Sequence, residues 1–309
     1  MTATPKLTVA IVSFNTRPLL EACLSALLGS LAATPELGAR VVVVDNASPD
    51  GSAAMVRERF PGVELRASGQ NLGFSGGNNL VLREACTPYV LLLNPDTEVR
   101  GDAPAALVRF LDAHPRAAAV GPRLIYPDGS FQHSAFRFPT LPMSFLDFFP
   151  INHRLSDSRL NGRYPRGRYA RAFEVDHPLG AAIMVRREAL EQVGRLDEAY
   201  FMYAEEVDLC WRIKRAGWQI WYCPEATIVH HQGAATRQFR GEMLVHLHRS
   251  RYRFFAKHYP SWFGRAARAI VGVGVLRDLA RAAAQRRRGG IGAAEWRRRR
   301  AVYGRLLAL

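Results

Sequence analysis

Cysteine is scarce: Cys23, Cys86, Cys210 and Cys223 are the only four in 309 residues, and none stand in CxxC spacing. That excludes a disulfide framework and a zinc site built on cysteine pairs, and it suits a reducing compartment. Long apolar runs are missing too. "AIVGVGVL" (Ala269–Leu276) falls well short of the roughly 18 residues a membrane span needs, and "FPTLPMSFLDFFPI" is broken by prolines and Asp147. The opening "MTATPKLTVAIVSF" lacks the basic start and cleavage site of a signal peptide, and Thr8–Phe14 reads as a first strand. These absences predict a cytosolic protein.

Negative charge is short at one end. From Ser261 to Leu309 there are 12 arginines against Asp278 and Glu295, within a chain of formal charge +15. Such a balance first suggests nucleic acid, yet the charge does not lie where the catalytic-looking residues are. The tail therefore needs its own explanation.

What is present is a βαβαβ rhythm. "LTVAIVSF" (Leu7–Phe14), "RVVVVD" (Arg40–Asp45) and "YVLLLN" (Tyr89–Asn94) are continuous apolar runs. "RPLLEACLSALLGSL" has leucines at helical spacing, "SPDGSAAMVRERF" offers Ser or Asp as an N-cap, and "GVELRAS" is a short strand candidate. Such runs alternating with helices predict an α/β fold with a mostly parallel sheet covered on both faces. Ligands of such sheets bind at the carboxyl ends of the strands. Ser13, Asn15, Asp45, Asn46, Ser48, Asn94 and Asp96 should all emerge on that rim.

Each polar cluster also has a plainer meaning. "VVVVDNASPDGS" could be a strand, an Asx-rich turn and a cap, or a nucleotide clamp in which Asp45 accepts from a sugar hydroxyl or base N–H. "NLGFSGGNN" (Asn71–Asn79) could be a flexible loop, or a backbone that approaches a ligand and offers N–H groups. It is neither a Walker loop, since no Gly-Lys-Ser/Thr follows, nor a dinucleotide fingerprint. Asp96 in "NPDTEV" could end a strand, or hold a divalent ion against a diphosphate. Glu205, Glu206 and Asp208 could be an acidic first helical turn, or could supply a general base. In "IVHHQGAAT" (Ile228–Thr236), one histidine is an extra ligand candidate.

Taken together, "VSFN", "VVVVDNASPDGS", "NLGFSGGNN", "LLLNPDTEV", "GAAIMVRREALEQVGRLDEAYFMYAEEVDLCWRIKRAGW" and "VHHQGAAT" resemble glycosyltransferase family 2, in its bacterial rhamnosyltransferase-like branch. The likeness spans Val9 to about Thr236. It implies a GT-A (Rossmann-like) fold, a nucleotide-sugar donor with dTDP-rhamnose favoured over UDP- or GDP-sugars, and inversion at the anomeric carbon. By motif position Asp45 would hold the nucleoside, while Asn71, Gly73, Phe74, Gly77 and Asn78 would line the donor. "NPD" stands at the DXD-type metal motif, with Asn94 in place of the first Asp and Asp96 as ligand to Mg²⁺ or Mn²⁺. His230 matches the family's HxxG-type histidine and would complete the metal site. The Glu-Asp pair maps onto Glu205-Glu206, placing the base at Glu206, a longer arm than the family's Asp; Glu205 and Asp208 remain alternatives. A saccharide or lipid-linked acceptor in cell-envelope polysaccharide synthesis is implied.

The expected organisation is a catalytic domain over 1–236, with a nucleotide half to about 125 and an acceptor half from about 126, then a basic helical region over 237–309. Aromatic, aliphatic and arginine residues alternate helically in that region. They suit either an amphipathic helix on an anionic membrane face, peripheral to the inner side of the cell membrane, or a solvated arm that joins copies into a homo-oligomer. No nucleic-acid reader motif accompanies the arginines. A nucleotidyltransferase would usually place basic residues in its glycine stretch, and "NLGFSGGNN" has none.

Overall fold

All seven residues of β1 (Leu7–Ser13) are buried, and so are five of the six in β2 (Arg40–Asp45) and all five of β4 (Tyr89–Leu93). A strand covered on both faces must be apolar at every position, which is why these runs do not alternate. The computed structural model describes residues 5–150, 152, 155, 157–233 and 239–309. Two compact units emerge. The first comprises Met1–Phe138, Tyr164–Phe201 and Glu205–Arg237, and the second Pro139–Arg163, Met202–Ala204 and Gln238–Leu309. Residues 234–236, which end the "IVHHQGAAT" motif, lie outside the described residues.

In the first unit, β1 pairs in parallel with β2 on one side and β4 on the other, and β2 pairs with β3 (Glu64–Ala67). Helices α1 (Arg17–Ala32), α2 (Ser52–Arg59) and α3 (Gly73–Leu82) make the crossovers. Pro18 opens α1, where its missing N–H costs nothing. The N-cap of α2 is Gly51 and not the expected Ser or Asp; Asp50, one residue ahead of it, accepts the Ser52 N–H on Oδ1 at 3.0 Å. Beyond β4 the sheet becomes mixed. β11 (Ala182–Arg186) runs antiparallel between β4 and β6 (Ala117–Ile125), and β12 (Gln219–His230) joins β6 to β5 (Thr97–Arg100). The strand order is β3-β2-β1-β4-β11-β6-β12-β5. β1 to β4 thus pair in parallel among themselves, as do β6 and β12, whereas β11 and β5 run antiparallel to their neighbours. Helix α4 (Ala103–Ala113) links β5 to β6, the short strands β7 (Phe131–Gln132), β8 (Ala135–Phe136), β9 (Phe173–Glu174) and β10 (His177–Pro178) come before β11 in the chain, and α6 (Arg187–Val193) follows it.

The glycine-rich stretch is not an open loop. Gly73 to Asn79 form the first turns of α3, with Asn71 Oδ1 accepting the Gly73 N–H at 2.9 Å. Its glycines permit close packing. A Cβ on Gly77 would lie 2.8 Å from Val12 Cγ1 of β1, inside contact distance. Gly73 adopts φ 70°, and a Cβ there would lie 2.3 Å from the Phe201 carbonyl oxygen. Gly73→Ala therefore meets both strain and a backbone clash, and is expected to lower unfolding stability by about 2–4 kcal/mol. A urea titration matching the parent within experimental error would contradict this.

The second unit is helical: α5 (Leu141–Phe148), α8 (Arg240–His258), α9 (Ser261–Arg287) and α10 (Ala293–Leu307). Phe148 packs so tightly on α9 that a Cβ at Gly274 would fall 2.4 Å from its ring. Asp147 pairs with Arg251, and Glu242 of α8 with Arg305 of α10. Among the described residues no helix is long and apolar enough to cross a membrane.

Candidate active site

The sheet register assembles the site. Ser13 pairs with Asp45 and Ile11 with Leu93, so Asp45 and Asn94 leave the rim on either side of β1, two strand spacings or roughly 10 Å apart. The loops behind β1 and β2 are laced together. Asn46 N donates to Ser13 O at 2.8 Å, Asn15 N to Ser48 Oγ at 3.1 Å, and Asn46 Nδ2 to Gly73 O at 3.0 Å. Asp45 is buried; its Oδ2 accepts the Ser48 N–H at 3.0 Å, and its Oδ1 has no hydrogen-bond partner among the described residues. An orphaned carboxylate oxygen in so built a pocket costs free energy unless a ligand donor fills it. Asn78 shows the same pattern, with Nδ2 donating to Phe74 O at 3.0 Å and Oδ1 left over, while Phe74 N is taken up by Phe201 O at 2.9 Å.

Asp96 and His230 meet because β5 and β12 are antiparallel, Thr97 opposite His230. Their side chains are only 5% and 7% exposed, with Asp96 Oδ1 3.6 Å from His230 Nε2. Gln132 Oε1 lies 3.0 Å from His230 Nδ1 and can only accept, so Nδ1 carries the proton and Nε2 turns its lone pair to Asp96. Burial lowers the pKa of His230, against the opposing pull of Asp96 and with help from the neighbouring His231. A neutral nitrogen and a carboxylate oxygen directed at each other are donors of the kind that could hold a divalent cation. Among the described residues there is no cluster of three or more such ligands. Two protein ligands suit a divalent ion that completes its shell with phosphate oxygens and water. Next door His231 Nε2 and Glu98 Oε1 pair at 2.7 Å. Asn94 joins this rim through its N–H to Ala181 O at 2.9 Å.

Helix α7 (Glu205–Arg215) carries the three acids to different fates. Asp208, one of the expected alternatives for the base, is fully buried and accepts from Arg212 Nε at 2.8 Å and Tyr200 OH at 3.4 Å, bonds that tie it into the fold. Glu205 is also buried, with Oε2 unbonded among the described residues. Burial first, and then the charge of Glu206, push its carboxyl well above the usual range. Glu206 is half-buried, its carboxyl carbon 3.2 Å from where a Cβ on Gly180 would stand. Gly180 precedes Ala181, whose carbonyl holds Asn94, so Glu206 reaches the same rim.

Glu205 has a consequence for pH. The folded chain holds its proton more tightly than the unfolded chain, whose glutamates ionise near 4.3. Its contribution to stability is therefore complete below about pH 4.3 and is lost as pH climbs towards the raised folded-state value. Glu205→Gln should flatten this descent in denaturant midpoints taken from pH 4 upward. Identical slopes for parent and variant would show that Glu205 ionises normally.

Gln132 and Gly180 were not foreseen. "FQHS" has no recognisable pattern, and Gly180 stands at the head of a motif read for its acids Glu205, Glu206 and Asp208.

Comparison with known proteins gives the same picture. The sequence pattern described as Glycosyl transferase family 2 matches residues 8–194. The N-acetylglucosaminyl-diphospho-decaprenol L-rhamnosyltransferase of Mycobacterium tuberculosis is 33% identical over 276 residues, 84% of this chain and 87% of the relative. Rhamnosyltransferase WbbL of Escherichia coli K12 is 26% identical over 62% of this chain and 72% of its own. In shape, the mannosyltransferase PcManGT of Pyrobaculum calidifontis, solved with GDP-Man and Mn²⁺, superposes with TM-score 0.57 at 20% identity, over 99% of this chain and 86% of that one.

Proposed function

The chain belongs to glycosyltransferase family 2, and from that premise we propose that it moves L-rhamnose from dTDP-rhamnose to a hydroxyl of a saccharide or lipid-linked acceptor, inverting the anomeric carbon. The rhamnosyl donor is supported by the two bacterial rhamnosyltransferases it resembles. The chemistry is supported above all by the buried Asp96–His230 pair, on a rim that Asp45, Asn94 and Glu206 also reach.

In this reading Asp45 Oδ1 accepts from the nucleoside, and Asn71, Gly73, Phe74, Gly77 and Asn78 line the donor. Asp96 and His230 would hold Mg²⁺ or Mn²⁺. Bound there, the ion would supply positive charge against that developing on the departing nucleoside diphosphate. Glu206 takes the proton of the acceptor hydroxyl, whose oxygen attacks the sugar carbon from the face opposite the leaving group. Glu205 is buried, whereas Glu206 is half-buried beside Gly180, so Glu206 is the member of the pair placed to meet an acceptor. An acceptor on a lipid carrier in cell-envelope polysaccharide synthesis would place the reaction at the inner face of the cell membrane.

The test is a donor screen reading released nucleoside diphosphate from dTDP-rhamnose and from UDP- and GDP-sugars, with and without membrane lipid extract. dTDP-rhamnose should give the fastest release, further accelerated by the extract. Faster turnover of another nucleotide sugar would overturn the donor.

A further inference from the structure

Every large apolar side chain that stands exposed among the described residues belongs to the second unit, and three of the six lie on α9: Trp262 (55%), Val273 (60%) and Leu276 (58%). With the exposed Ala269 and Ala280 they recur at intervals of seven, four, three and four residues, which is one face of an α-helix. The stripe is about 27 Å long at the helical rise. The opposite face carries the buried Phe263, Ala267, Val271 and Val275, and Phe148 presses on Gly274, so α9 is seated within its unit by its other side.

Charge follows the same division. The second unit holds 20 of the 42 basic residues and 5 of the 27 acidic ones, so the whole formal +15 falls on it and the first unit is formally neutral. Arg265 and Arg287 stand along the stripe, and Arg268 and Arg281 flank it; all four are exposed. The one acid of α9, Asp278, is half-buried. Guanidinium groups stay charged at any physiological pH.

We propose that this face of α9 is an interfacial docking surface for a bilayer bearing anionic phospholipid headgroups, with Trp262, Val273 and Leu276 entering the headgroup–acyl boundary and the arginines pairing with phosphates. A two-fold contact between copies through the same face would bring the arginine rows together. Nucleic acid would account for the arginines but gives the apolar stripe nothing to bury. The inference rests on α9 alone and is independent of the donor sugar.

The full chain is co-sedimented with vesicles of phosphatidylcholine, with and without phosphatidylglycerol. The parent should pellet with the anionic vesicles and be released by salt. The combined variant Trp262→Ser, Val273→Ser, Leu276→Ser alters only exposed positions. It should keep its circular dichroism and its release of nucleoside diphosphate while losing at least about tenfold in vesicle partition. Arg265→Gln with Arg281→Gln should weaken binding to the anionic vesicles alone. Equal partition of parent and triple variant would overturn the proposal, as would a parent dimer, seen by analytical ultracentrifugation without lipid, that the triple variant abolishes.

Discussion

Asp96→Ala is expected to cut donor cleavage by at least about a thousandfold, since an ion offsetting leaving-group charge contributes several kcal/mol and each 1.36 kcal/mol is tenfold in rate. The variant removes one of two buried donors and leaves His230 Nε2 aimed at a void, still fixed by Gln132. Asp96→Asn is the sharper comparison because it preserves shape and removes the charge. It should lose nearly as much activity with an unchanged thermal midpoint. The loss should appear equally as failure to bind Mn²⁺ in the presence of nucleoside diphosphate, measured by electron paramagnetic resonance. Full turnover in excess EDTA, or an Asp96→Asn enzyme that binds Mn²⁺ as the parent does, would remove the cation from the site.

Glu206→Gln is the second large effect. A positioned base contributes typically 10²- to 10⁴-fold, so kcat for transfer should fall by about that factor while the KM for donor changes little. Glu205→Gln should cost far less, because that carboxyl is buried and out of reach of an acceptor, while Glu206 stands half-buried at the rim. Asp208→Asn should act on stability rather than turnover, through its bond to Arg212. A Glu205 variant slower than the Glu206 variant would exchange their roles. A Glu206→Gln enzyme with normal transfer would move the base off α7.

The rim was legible in the sequence where physics leaves little choice. β1, β2 and β4 must be apolar throughout to be covered on both faces, so their ends, and with them Asp45 and Asp96, could be placed beforehand. Whether "NLGFSGGNN" was loop or helix could not be read, because three glycines argue against a helix interior. They are tolerated since Val12 and Phe201 press on α3 so closely that a side chain would collide. Nor do three acids within four residues announce which is solvated. The separation of Asp208 from Glu206 depends on Tyr200 and Arg212 closing over one helical face. Gln132 was invisible for another reason: its bond to His230 spans 98 positions and follows no periodicity.

The uneven placement of charge bears on handling the enzyme in solution. A formally neutral first unit has little of the mutual repulsion that keeps dissolved proteins apart, and the second unit supplies all of the excess. Trimming the chain to its first unit would thus sacrifice colloidal protection, and the shortened protein is expected to precipitate more readily near neutrality than the full chain.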